Sequence, residues 1–338
     1  MNILITPHAL MSPVNQKGLD IDDFLMHYRT LNFISKSQKI FTPYVYNDTT
    51  DILSSSNLFP SYNIFDKHIK ENELDDYISA NDLVSLFNTI IEKCTVINDI
   101  TDVFTIEIDQ SHSLQEISTT PICNYKTNNI LALCDYLNSQ NQLTILPVVD
   151  NNLSTQIFDQ IIMSMLVYTQ EEILTITNYK PELQLFSCCN EILALCTPDE
   201  IWDKSTTDEC LRLAIYLKCN ELIKSNSVSY TDKFDIDSVV IGEHFFESLK
   251  KNQCVNGGSF SKNTLDCIAR LLLKSPKSEL KKFFRSDDKS KPRTREKDIA
   301  YRIHLTESGL ALRLMVWMLP CGNYELANVG PKHELVIK

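Results

Sequence analysis

Glycine is scarce in this chain, 7 residues in 338, and none of them stands in a G-x-G-x-x-G or G-x-x-x-x-G-K spacing. Loops that cradle dinucleotide or triphosphate groups need such glycines for tight turns and close backbone approach. The commonest nucleotide-binding routes are therefore excluded. Long apolar runs are missing too; nothing approaches the about 18 consecutive apolar residues that span a bilayer. Met1-Asn2-Ile3-Leu4-Ile5-Thr6 lacks the basic start and longer apolar stretch of a secretion signal. No C-x-x-C pair occurs among the 11 cysteines, an odd number without metal-ligand spacing. Cys134, Cys196, Cys210, Cys219 and Cys267 fall in helix-like apolar patterns, where a thiol packs as a small hydrophobe. The expectation is a cytoplasmic protein with reduced cysteines, no membrane contact, no metal and no cofactor.

With 43% hydrophobic and 22% charged residues, the chain has the composition of a folded protein and the length of more than one domain. The patterns predict an α/β or α+β multi-domain fold in three regions. Residues 1–150 read as a mixed α/β domain. It has strands at Ile3–Ile5, Val103–Asp109 and Leu143–Val149, and helices over 20–36, from Ser79 onward, and over 128–138. Residues 42–70 show no sustained period. Residues 151–235 read as mainly helical: Gln156–Tyr168, then a start at Thr197-Pro198-Asp199-Glu200, then Thr207–Lys224. Residues 236–338 read as an α+β module. Helices at Glu243–Lys251, Lys262–Leu273 and Ser278–Phe284 are followed by a basic connection, Arg285–Lys297. A four-stranded antiparallel sheet is expected over 299–305, 310–319, 324–329 and 333–337.

Charge is unevenly spread. Residues 274–338 hold 14 Lys/Arg against 8 Asp/Glu, whereas the rest holds 18 against 36. A basic end on an acidic body fits two partners, the phosphates of RNA or DNA or an acidic protein surface. Lys281, Lys282, Arg285, Lys289, Lys291, Arg293, Arg295 and Lys297 form the basic stretch, and a solvated loop accounts for it equally well.

Tyr301-Arg302-Ile303-His304-Leu305 alternates apolar and basic side chains, the period of a half-buried strand. If its hairpin closes through Glu307-Ser308, with Thr306 opposite Gly309, Arg302 lies opposite Arg313. Like charges across a ladder cost about 0.2–1 kcal/mol unless an anion sits between them. Cleaving a phosphodiester takes a base, an acid and fixed positive charge, and in RNA the 2′-hydroxyl serves as nucleophile without a metal. His304 and His333 supply the proton-transfer groups, with Arg302 and Arg313 for the phosphate. Lys332, Lys281, Lys282, Arg285, Arg293 and Arg295 are candidate contacts along a nucleic-acid strand. Trp317 or Tyr324 is the candidate for base stacking, and a core position is the alternative for each. His304 as a partly buried strand residue, with Arg302 paired to Glu325 or Glu334, is the bland alternative for the whole set.

The order strand, two helices, basic connection and antiparallel strands resembles the RelE/ParE-like toxin superfamily over residues 237–338. The likeness is carried by Tyr301-Arg302-Ile303-His304, Leu312-Arg313-Leu314 and Val329-Gly330-Pro331-Lys332-His333-Glu334. RNA-cleaving members use scattered Arg, Lys, His and Tyr side chains on the sheet. The resemblance implies an RNA-directed, partner-inhibited module in a toxin or phage-defence setting. This chain departs from the pattern in its long acidic body and in lacking a highly charged first helix pair.

Two rival readings stand beside an endoribonuclease. One is a non-enzymatic adaptor or subunit of a larger complex. The other is a Mg²⁺-dependent nuclease built on Glu107, Asp109, His112 and Asp150, for which strand-end capping and a solvated face are the alternative. Asp20, Asp22 and Asp23 precede a helix without the Gly and Glu of a calcium loop, which fits capping. His8 is a lone histidine at a strand end, and Ser187, Cys188 and Cys189 lie in no nucleophile-elbow pattern.

Overall fold

Asn2–Ile5 are four consecutive buried residues and form the first strand, β1. A strand buried on both sides belongs in the middle of a parallel sheet, and β1 is there. The computed structural model describes residues 1–11, 14, 21–37, 39–97, 105–109, 146–149, 156–158, 163–168, 173–179, 183–186, 192–230, 234–285, 290–306, 311–334 and 336–338. They fall into two units, Met1–Leu195 and Cys196–Lys338.

In the first unit, β1 is followed by α1 (Pro7–Leu10), α2 (Ile21–Lys36), β2 (Thr42–Val45), α3 (Thr49–Ser55), α4 (Tyr62–Glu71), α5 (Ala80–Lys93) and β3 (Thr95–Val96). Phe24, Tyr28, Leu31 and Ile34 recur at helical spacing along α2 and are all buried. The α5 helix starts at a capping box in which the Ser79 hydroxyl accepts from the Asp82 N–H and the Asp82 carboxylate accepts from the Ser79 N–H. The strands that follow are β4 (Thr105–Asp109), β5 (Leu146–Val149), β6 (Gln156–Phe158), β7 (Met163–Tyr168), β8 (Ile173–Tyr179) and β9 (Leu183–Phe186). One sheet has the order β3-β2-β1-β5-β9-β6, parallel except for β6; β4, β7 and β8 make a separate antiparallel sheet.

Two expectations need correction here. Residues 42–70 carry a strand and two helices, too short for a sustained period to show. Gln156–Tyr168 is not a helix: β6 and β7 stand in its place, because an apolar run such as Met163–Tyr168 suits either period. Of the carboxylates weighed for Mg²⁺, Glu107 and Asp109 stand together on β4 in the antiparallel sheet. His112, Asp150, Asp20, Lys289, Cys134, Ser187, Cys188, Cys189 and the helix expected over 128–138 lie outside the described residues.

In the second unit, α6 (Pro198–Lys204) begins at a Thr197–Glu200 capping box, and α7 (Asp208–Lys224) is capped by the Thr207 hydroxyl. These helices pack with α9 (Ser261–Leu272), while α8 (Phe245–Lys251) packs on the sheet. Trp202 is fully buried among them and donates from Nε1 to the Cys254 carbonyl at 2.8 Å.

The sheet comprises β10 (Val240–Ile241), β11 (Lys281–Lys282), β12 (Thr294–Arg295), β13 (Asp298–His304), β14 (Arg313–Met318) and β15 (Tyr324–Gly330). Its order is β10-β15-β14-β13-β11, with β12 also on β13; β10 runs parallel to β15 and the other pairs are antiparallel. The helix expected at Ser278–Phe284 is replaced by β11. The strand expected at 333–337 is absent: Pro331–Glu334 turns, and Val336–Lys338 lies on the sheet without joining its ladder.

No helix among the described residues is long and apolar enough to cross a membrane. None of their seven cysteines is in a disulfide, and four of them are buried.

Candidate functional site

Alternation divides the second unit's sheet into two unlike faces. Ile303, Leu314, Val316, Leu326 and Val329 are buried on one of them. The Val329 N–H donates to Ser248 Oγ of α8 and its carbonyl accepts from the Asn252 amide. The opposite face carries Lys281, Ala300, Arg302, His304, Arg313, Met315 and Trp317.

The hairpin between β13 and β14 is longer than expected. His304, not Arg302, lies opposite Arg313, and Arg302 lies opposite Met315. The cause is local. Leu305 N–H donates to the Leu312 carbonyl, Thr306 Oγ1 accepts from Leu312 N–H at 2.9 Å, and Ala311 takes a left-handed φ of 44°. Closure therefore falls outside Glu307-Ser308. The two-residue slip preserves parity, so Arg302 and Arg313 remain on one face as diagonal neighbours. Positions so related lie about 7–8 Å apart at Cα, within reach of long side chains.

Lys281 is opposite Arg302 on the other side. A cationic row thus runs across three adjacent strands, Lys281 on β11, Arg302 on β13 and Arg313 on β14, with the His304 imidazole beside it on β13. Burial, and then the charge of Arg313, hold the Arg302 guanidinium below its ordinary pKa. Among the described residues neither arginine is ion-paired to a carboxylate. Arg302 stacks over Phe283 at 5.1 Å from the ring centroid, with Arg293 also over that ring at 4.8 Å. Arg313 donates from Nη1 to the Lys332 carbonyl at 3.2 Å, and its Nε is buried without a partner. The backbone of His304 is fastened by Ser278 Oγ, which donates to its carbonyl at 3.3 Å.

Other candidates are placed differently. Arg295 is already committed: it donates to both oxygens of Glu325 and to Asp298 and lies 4.9 Å over the Trp317 ring. Those carboxylates, Glu325 first, raise its pKa. Trp317 is 5% exposed, with Nε1 bonded to the Lys338 carbonyl, so it is a core residue and offers no free face to a base. Lys282 is opposite Tyr301, on the other face from Arg302. Lys281 pairs with Glu279 at 3.0 Å on the surface. Arg293 donates from Nε to the Phe284 carbonyl, and Arg285 N–H donates to the Lys291 carbonyl. Lys332 and His333 are exposed on the turn after β15.

Phe284, missed in the sequence, is an exposed aromatic at the basic edge, on the side of Lys282 and not on the face of Arg302. It is 39% exposed, bridged to Pro292 and flanked by Lys282, Arg285 and Arg293. The signal was Lys281-Lys282-Phe283-Phe284-Arg285. In a strand-like stretch one phenylalanine goes inward and the next outward, and Phe283 is buried.

Among the described residues no group of three His, Cys, Asp or Glu side chains converges as metal ligands. No family model, curated protein or solved structure gives a significant match to this chain.

Proposed function

We propose that the second unit binds single-stranded nucleic acid through its cationic face and cleaves RNA there without a metal. The observation that carries this reading is the pair Arg302 and Arg313: they share one face, burial and the charge of Arg313 hold Arg302 below its ordinary pKa, and neither is ion-paired to a carboxylate among the described residues. Guanidinium groups held together in this way favour a phosphate, whose oxygens accept charge-assisted hydrogen bonds from both. Lys281 extends the row toward the next phosphate, and Lys332 lies beyond Arg313.

The chemistry follows from His304, which is opposite Arg313 on the same face. His304 accepts the proton of the 2′-hydroxyl, whose oxygen attacks the adjacent phosphorus. Arg302 and Arg313 hold the non-bridging oxygens as charge builds on them. The 5′-oxygen leaves with a proton from His333, whose neighbour Lys332 is tied to Arg313 through its carbonyl. The products are a 2′,3′-cyclic phosphate and a 5′-hydroxyl. The resemblance to RelE/ParE-like toxins implies the same class of reaction.

The test is incubation of end-labelled RNA and DNA with the protein, with and without EDTA, beside an Arg302→Ala/Arg313→Ala variant. RNA cleavage that persists in EDTA and is lost in the variant is expected. The salt dependence of RNA binding should also flatten in the variant, by about 0.7 in log–log slope for each phosphate contact removed. Cleavage abolished by EDTA would overturn the metal-independent step, and no binding of either polymer would leave a protein-docking adaptor in its place.

A further inference from the structure

The segment after β15 is held to the cationic face by side chains instead of a strand ladder. Asn328, 2% exposed, grips its backbone twice: Nδ2 donates to the Val336 carbonyl at 3.2 Å, and Oδ1 accepts from the Lys338 N–H at 3.0 Å. Trp317 Nε1 donates to the Lys338 carbonyl at 3.1 Å. Val336 is exposed, whereas Ile337, 9% exposed, inserts among Phe283, Ala300, Met315, Trp317 and Ala327. Nearer β15, the Lys332 carbonyl takes an N–H of Arg313. Glu334 packs over Gly330, the residue opposite Arg313, so closely that a Cβ built on that glycine meets Glu334 Cγ at 2.7 Å. One short segment therefore covers the apolar floor and engages a cation on the same face.

We propose that Pro331–Lys338 is an internal competitor for the nucleic-acid site, displaced when a strand binds; this rests on the function proposed above. Two features favour exchange. Among the described residues Arg313 holds a neutral carbonyl and no carboxylate, and its Nε stays unpartnered, so a phosphate offers it stronger acceptors. Among the described residues the segment is anchored by the apolar side chain of Ile337, and its hydrogen bonds to the sheet run through its own backbone, where water or a ligand can replace them. Displacement would uncover Trp317 and Met315 beside Arg302 and Arg313, adding a stacking surface next to the phosphate contacts. Apparent affinity is then reduced by the fraction of molecules whose segment is in place.

The test uses fluorescein-labelled oligouridylate, titrated by anisotropy into the full chain, an Ile337→Asp variant, and a variant with residues 335–338 replaced by Gly-Ser-Gly-Ser. Both variants should bind about tenfold more tightly, the effect of raising the uncovered fraction by that factor. A synthetic peptide of residues 331–338 added in trans should return them to the wild-type affinity, a response that a misfolded protein does not give. Equal binding by all three proteins overturns the competitor and leaves the phosphate site standing. Weaker binding that the peptide restores makes the segment part of the site and also overturns it. No RNA binding by any of the three overturns both readings together.

Discussion

The two large sheets differ most in where they admit charge. None of the six strands of the parallel sheet in the first unit contains an Asp, Glu, Lys, Arg or His, and β1 is buried along its whole length. The sheet of the second unit carries Lys281, Lys282, Arg295, Asp298, Arg302, His304, Arg313 and Glu325 on its strands. Part of that charge is structural, since Arg295 closes on Asp298 and Glu325 above Trp317. Of the remainder, Lys281 meets Glu279 at the surface, whereas Arg302 and Arg313 are ion-paired to no carboxylate among the described residues. A sheet folds without such a row, as the first unit demonstrates, so sheet formation by itself does not require these cations.

Both tryptophans of the chain, Trp202 and Trp317, lie in the second unit. Tryptophan fluorescence therefore follows that unit alone, while far-ultraviolet circular dichroism follows both, and the comparison becomes measurable. The largest effect is expected from Trp202→Ala, which empties a fully buried site and leaves the Cys254 carbonyl without its donor. It should cost about 3–5 kcal/mol and lower the urea midpoint seen by Trp317 fluorescence. The part of the dichroism change belonging to the first unit should stay where it was; a joint shift would break the division into two units.

Acid should act on the other side. His27, 4% exposed, touches the Ala9 carbonyl through Nε2, and burial lowers its pKa to about 4. The unfolded chain, with histidine near 6.5, binds the extra proton first. Stability is therefore intact above that pH and is lost as pH falls toward 4, by up to about 3 kcal/mol. Burial shifts His68 in the same direction. Urea unfolding at neutral and acid pH should show the loss by dichroism more than by tryptophan fluorescence, and His27→Gln should remove much of it. The smallest effect is that of Arg295→Ala, about 1 kcal/mol for a partly exposed double ion pair. Fluorescence should register it, whereas RNA affinity should hold, because Arg295 is already spent on carboxylates. A loss of affinity would return Arg295 to the binding row.

Helices with strong end signals were legible in the sequence. The Thr197–Glu200 capping box and the spaced Phe24, Tyr28, Leu31 and Ile34 lead to the helices observed. The alternation at 299–305 marks β13, and it also puts Arg302 and His304 on one face. The register was less legible. Gly309 invited a tight closure, whereas a threonine cap and a left-handed alanine, neither of which has a sequence signature, set a longer one. Trp317 could be read either as a stacking residue or as core. What decides between them is the Arg295 guanidinium above it and the segment ending at Lys338, and both depend on tertiary structure. Residues 333–337 have the apolar content of a strand, but Asn328 takes their backbone where a neighbouring strand would have done so.

The irregularity between Met315 and Val316 has a further consequence. On β15 these residues face Asn328 and Leu326, so Ala327 is an extra residue in the ladder. From that point onward the strand is turned over: Asn328 and Gly330 look toward the cations, and Val329 toward the helix. Pairing β15 continuously through Ala327, without the bulge, would set Ala327 opposite Met315 and Val329 opposite Arg313, and would turn the amide of Asn328 to the other face, away from Val336 and Lys338; deleting Ala327 would instead leave Asn328 opposite Met315 and Gly330 opposite Arg313. The grip on Val336 and Lys338 thus depends on one irregularity in the ladder that accommodates a single unpaired residue.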